Sequence, residues 1–317
     1  MRFDENAELD TSNINDMRGG GGGGGGGGAL GGRVAMGGGG LGIVGLILYF
    51  LLSQLGGGSL GGSGGLALPN GLSALGIGQT ADTTAIASSC RTGAQANTQL
   101  DCEVVAVVNS LDGYWSDTFA RSGQTYTPPR TNFFSGGVNT GCGGATSDTG
   151  PFYCPADQQV YIDLSFFKEL ETRFGATGGN FARAYVIAHE YGHHVQDLLG
   201  TTRRVQTGGT GPTSGSVRLE LQADCYAGVW ANHAASVPTA SGKPLIQDIT
   251  QQDVASALDT AQRIGDDFIQ TNLGSGRVDQ SQFTHGSSAQ RTKWYTTGYR
   301  TGNPAQCDTF GRGVDLG

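Results

Sequence analysis

The chain has no long run of basic residues, and its 27 acidic side chains outnumber its 19 Lys and Arg for a formal net charge of −8. That balance argues against a phosphate-tracking surface and, with it, against nucleic acid as a partner. No Cys-x-x-Cys pair occurs, which sets aside an all-cysteine metal site. Glutamate is scarce, with five beyond residue 55, so each one carries weight. No charged residue occurs from Val34 to Ala81. Core-forming composition is also missing from most of the first 80 residues, which leaves about 235 for one well-filled domain.

Glycine fills much of that gap. Residues 1–18 are polar and mixed in charge, and Gly19 to Gly28 is an unbroken glycine run. Ordering such a run is entropically costly, so residues 1–33 read as a disordered tail. Leu41 to Leu55 is apolar, and fifteen helical residues reach about 22 Å of the roughly 30 Å hydrocarbon core. With the flanking Ala35–Gly40 the stretch 34–55 reads as one transmembrane anchor. A buried soluble helix is the alternative, opposed by glycine-rich, core-less sequence on both sides. A cleaved signal peptide would begin nearer residue 1. Arg2, Arg18 and Arg33 precede the stretch and the next basic residue is Arg91. The positive-inside rule then puts the N-terminus in the cytoplasm and residues 81–317 outside it. Residues 56–80 read as a flexible Gly/Ser tether.

All six cysteines lie beyond the anchor, and an even number in an exported domain suggests disulfides. Fifteen connectivities are open. Nearest-neighbour pairing gives Cys90–Cys102, Cys142–Cys154 and Cys225–Cys307. The first two would close short loops worth about 3 kcal/mol each. The third would tie the C-terminal tail to a helix with a functional residue.

The chemistry sits in His189-Glu190-Tyr191-Gly192-His193, an H-E-x-x-H pattern in a stretch that reads as helix from Phe181 to Leu199. A turn of helix stacks His189 over His193, so both imidazoles can reach one Zn²⁺, and Glu190 projects from the same side as a general base. The alternative is a helix that merely carries two histidines. A catalytic zinc takes three protein ligands and keeps one position open. Glu220 and Asp224, at i and i+4 of a second helical stretch, supply the candidates: Glu220 as ligand, and Asp224 accepting the free ring N–H of a zinc-bound histidine. A solvated acidic face is the bland alternative, opposed by the apolar neighbours Leu219, Leu221 and Ala223. His194 and His233 lie off the metal-facing side. His285, in a loop-like segment, is a candidate oxyanion donor or a local backbone cap. Gly192, costly inside a helix, predicts a close backbone, expected from a strand or loop flooring the cleft.

Elsewhere, Cys102 to Ser110 begins a strand or a helix, with Tyr114, Trp115 and Phe119 following at helical spacing. Thr127 to Thr140 reads as irregular. Val160–Leu164 reads as a strand, a candidate edge for substrate backbone, and leads into a helix near 165–174. Thr250–Asp253 has capping-box spacing and opens a helix to about Gln270. The fold class is α+β: mainly helical, with a small sheet.

Several long stretches carry a resemblance to a known family. They are Met1-Arg2-Phe3 with the glycine-rich stretch and anchor, Gly150–Asp157, Val160–Phe167, His189–His194, and Thr284–Arg291 with its following aromatics. The chain resembles the neutral zinc metallopeptidase family of bacterial, membrane-anchored proteins. The resemblance implies a zincin-like domain with His189, His193 and Glu220 at zinc, Glu190 as base, and added weight on His285. A zinc peptidase of the cell envelope acting on peptide or protein substrates is the expectation. The rival is a non-catalytic scaffold in which zinc is structural and the cleft only binds peptide; retention of Glu190 argues against it.

Overall fold

The computed structural model describes residues 1–18, 83–205, 209–238 and 242–317. The anchor expected over 34–55, the tether over 56–80 and the glycine run lie outside these residues. Among the described residues no helix is long and apolar enough to cross a membrane.

In chain order the elements are β1 (Arg2–Phe3), β2 (Ile14–Asp16), α1 (Thr83–Ser89), α2 (Gly93–Ala96), α3 (Leu100–Arg121), β3 (Arg130–Phe134), β4 (Gly137–Thr140) and β5 (Gly143–Thr146). There follow β6 (Phe152–Cys154), β7 (Gln159–Asp163), α4 (Phe166–Thr172), α5 (Asn180–Leu198), α6 (Thr201–Arg204) and α7 (Gly215–His233). The last are β8 (Ile246–Gln247), α8 (Gln251–Arg263), α9 (Asp266–Asn272) and α10 (Ser288–Thr301).

Three helices make the frame. Phe181, Ala184, Tyr185, Ala188, Tyr191 and Val195 of α5 are buried, at the spacing of one helical face. α7 is buried nearly all round, from Val217 through Trp230, because it lies between α5 and α10. Ser214 caps its start by accepting from the Val217 amide. A capping box of Ser287 and Gln290 starts α10, and Gly302 ends it in the left-handed region. The Cys102–Ser110 ambiguity resolves as helix, inside α3. The long helix expected from Gln251 to Gln270 breaks at Gly265 into α8 and α9.

Four strands form the main sheet in the order β2-β3-β7-β6. β2, β3 and β7 run parallel, and β6 pairs antiparallel to β7. Two expectations change here. Thr127–Thr140 is not irregular, since β3 and β4 lie within it, and Phe133 and Phe134 are fully buried. β7 is not an edge: β3 and β6 flank it, and β6 is the edge strand on that side.

A third correction concerns the chain start. Residues 1–18, expected to be part of a disordered tail, form β1 and β2. Phe3 and Ile14 are completely buried there, so this polar-looking segment folds by placing two large apolar side chains in the core. Disulfides join Cys90–Cys102, Cys142–Cys154 and Cys225–Cys307, as nearest-neighbour pairing expects.

Candidate active site

His189 and His193 stand one turn apart on α5 with ring centroids 4.8 Å apart. Glu220 reaches them from α7: its Oε2 lies 3.2 Å from His189 Nε2 and its Oε1 3.4 Å from His193 Nε2. The three ligand atoms lie within 4.8 Å of one another. Gly192 makes the approach possible. A Cβ there would sit 2.9 Å from Ala223 Cα and O, so the close backbone is α7, not the strand or loop expected from sequence.

The donor set fits a zinc ion. Two imidazole nitrogens and a carboxylate oxygen are its ordinary ligands, and both rings are held with Nε2 turned inward. His189 donates from Nδ1 to Asp224 Oδ1 at 2.8 Å, and His193 Nδ1 pairs with Gln196 Oε1 at 2.9 Å. Each pairing leaves Nε2 facing Glu220, the ring atom that would offer its lone pair once a metal replaces the proton shared with the carboxylate. Burial pushes the Glu220 carboxyl up, but His193 and His189 outweigh it and hold Glu220 well below its usual range. That favours the ionised form, which a metal ligand would require.

Asp224, wholly buried, does more than the sequence suggests. It accepts Tyr185 Oη–H at 2.6 Å and two N–H groups of Arg291, from Nε at 2.8 Å and Nη2 at 2.9 Å. Burial raises its pKa, but Arg291 and His189 bring it down to about 2. Arg291 rides on α10, is itself 2% exposed, and was not marked by any local pattern. Its one sequence signal is position, at the end of the Thr284–Arg291 stretch.

Glu190 sits beside the pair, 8% exposed. The Tyr153 backbone N–H, on edge strand β6, donates to its Oε2 at 2.9 Å. Burial raises the Glu190 pKa, against the pull of His189 and His193. His285 faces the same cleft. Its Nδ1 lies 2.9 Å from Thr284 Oγ1 and 3.2 Å from Asp266 Oδ1. Asp266 Oδ2 also accepts the backbone N–H groups of Thr284, His285 and Gly286. Burial alone would lower the His285 pKa, but Asp266 and Glu220 raise it. Asp266 begins α9 directly after the Gly265 break, and that glycine was the overlooked signal.

His194 and His233 stand apart from the centre. His194 donates to Thr127 O and meets Tyr153 Oη, while His233 stacks on Tyr114 and bonds Gly302 O. The same cleft is also lined by the apolar side chains of Phe152, Phe166, Phe174, Val186, Ile264 and Ile269.

Fold and site thus define a helix-borne centre of two histidines and one carboxylate, with a buried glutamate beside it. The chain belongs to the family described as "Putative neutral zinc metallopeptidase", which matches residues 1–310. It is similar to an uncharacterized protein of Mycobacterium tuberculosis, 51% identical over 231 residues, 73% of this chain and 77% of the relative. It is also similar to the uncharacterized protein YpfJ of Escherichia coli, 43% identical over 214 residues, 66% of this chain and 70% of the relative. No solved structure matches it.

Proposed function

We propose that the protein is a zinc-dependent peptidase, with His189, His193 and Glu220 as metal ligands and Glu190 as general base. The observation that carries this reading is the convergence of both Nε2 atoms on Glu220 with Glu190 buried alongside. A structural site would need no such base. When bound, zinc supplies Lewis-acid polarisation of a carbonyl and lowers the pKa of water at the site. Glu190 takes the proton of the attacking water and returns it to the leaving amine; its raised pKa suits both transfers. The Tyr153 amide holds one carboxylate oxygen and leaves the other for that work. Asp266 holds His285 Nδ1 and raises the ring's pKa, which favours the form that donates to the oxygen that gains charge. The apolar lining favours a bulky apolar side chain next to the bond cleaved. Three disulfides support an extracytoplasmic domain.

Glu190→Gln tests the reading. The variant should keep its metal and its melting temperature while cleavage of a peptide library falls about 10²- to 10⁴-fold. Cleavage at the wild-type rate removes Glu190 from the chemistry. A metal-loaded wild-type protein that cuts nothing in the library favours the scaffold.

A further inference from the structure

The first eighteen residues are built into the domain at every point where they touch it. β1 pairs antiparallel with β8, Arg2 opposite Gln247 and Phe3 opposite Ile246. The Asn97 side chain clasps the Phe3 backbone, accepting its N–H at 2.9 Å and donating to its carbonyl at 3.0 Å. Asn109 does the same to Asp10, at 2.7 Å in both directions. A Cβ at Gly93 would lie 2.0 Å from the Asp4 carbonyl oxygen, so α2 tolerates no side chain where this segment passes. β2 completes the main sheet by pairing with β3 from Ile14–Thr131 to Asp16–Phe133.

The segment also leaves and returns at one place. Arg18, two residues after β2, pairs with Asp101 of α3 at 3.4 Å. α1, where the described chain resumes at Thr83, packs against β2. The family match begins at residue 1, so this segment is shared with the family rather than appended to it.

We infer that residues 1–18 and residues 83–317 occupy the same compartment. A single crossing by the apolar stretch 34–55, with the N-terminus in the cytoplasm and the domain outside, would strip both strands from their partners. It would uncover the sites of Phe3 and Ile14 and leave the β3 edge without β2. The count of basic residues favours that orientation, but it weighs a modest bias against a completed fold. Residues 1–18 and 83–317 therefore lie on one face of any membrane the protein meets. Disulfides in the domain place the shared compartment in an oxidising space. None of this depends on peptidase activity.

The test compares two exposed positions in the full chain, Ser12 and Ser122, as the single variants Ser12→Cys and Ser122→Cys. Spheroplasts of a bacterial host are treated with a membrane-impermeant maleimide before and after permeabilisation. The expected result is equal labelling at both positions before permeabilisation. Protection of both until lysis also supports the shared compartment, while moving it to the cytoplasm. Labelling of Ser122→Cys at least tenfold above Ser12→Cys before lysis, equalised by lysis, overturns the inference. Should either cysteine disturb native pairing, Arg2→Cys with Gln247→Cys gives a second readout. The cross-linked peptide joining positions 2 and 247 is expected from whole cells, and its absence beside an intact Cys225–Cys307 bridge counts against the inference.

Discussion

The two imidazoles of α5 stand one turn apart, yet the regions behind them are unlike. Behind His189 lies charge: Asp224 accepts the hydrogen bond from its Nδ1–H and is clamped in turn by Arg291 and Tyr185, all buried. Behind His193, which is half-buried, lies a chain of neutral amides. Gln196 holds the ring and donates to Leu219 O at 2.7 Å and to Gln222 Oε1 at 3.2 Å. Gln222 donates onward to the Cys307 carbonyl at 2.9 Å, on the residue bridged to Cys225. Both devices turn Nε2 toward Glu220. They differ in what happens when they fail: a broken buried ion pair strands a charge, whereas a broken amide pair strands a dipole.

That difference sets the largest expected effect. Asp224→Ala leaves Arg291 buried without its carboxylate, at a cost of about 3–5 kcal/mol in stability, read as a drop in melting temperature. Zinc affinity should fall about 10- to 100-fold, measured by chelator competition. Gln196→Ala should be milder, about 1–2 kcal/mol, with a few-fold loss of zinc affinity. Equal losses in the two variants would erase the distinction between the regions. A larger loss from Gln196→Ala would reverse it and make the amide chain the stronger support.

The legible part of this site was the local part. The i, i+4 spacing of His189 and His193 is a property of any helix, and the apolar positions 181, 184, 185, 188 and 191 mark that helix without help from elsewhere. Glu220 and Asp224 stood out because carboxylates are rare beside Leu219, Leu221 and Ala223. Arg291 and Asp266 did not, because each acquires its role from a partner far along the chain, Asp224 and His285. Gly192 was legible as a close approach, but its partner was not; a glycine says that a backbone comes near, without saying which. β1 and β2 are two and three residues long, too short for any periodicity. Their glycine-rich sequel made residues 1–18 look like tail, and only their pairing with β8 and β3 shows otherwise.

A third region sharpens the comparison, with the smallest effect. Asp112 on α3 is a half-buried carboxylate whose hydrogen-bond partners are neutral: Tyr126 Oη at 3.0 Å and, from the N-terminal segment, Asn13 Nδ2 at 3.3 Å. Burial pushes its pKa up to about 7, where Arg291 and His189 bring that of Asp224 down to about 2. The sign of the pH effect follows from the upward shift. The folded state binds the Asp112 proton more tightly than the unfolded chain, whose value is 3.8. Its contribution to stability is therefore complete below that value and is lost as pH rises through about 7. Asp112→Asn removes the titration while keeping an acceptor for Tyr126. The variant should match wild type at acid pH and exceed it by about 1 kcal/mol at mildly alkaline pH, a fraction of what a fully buried carboxylate would give. Paired melting curves at the two pH values measure the difference. A gain of the same size at both would mean that hydrogen-bond geometry, not charge, separates Asp112 from Asp224. A loss confined to alkaline pH would mean that the ionised carboxylate is stabilising where it sits, and that neutral donors alone can do for Asp112 what Arg291 does for Asp224.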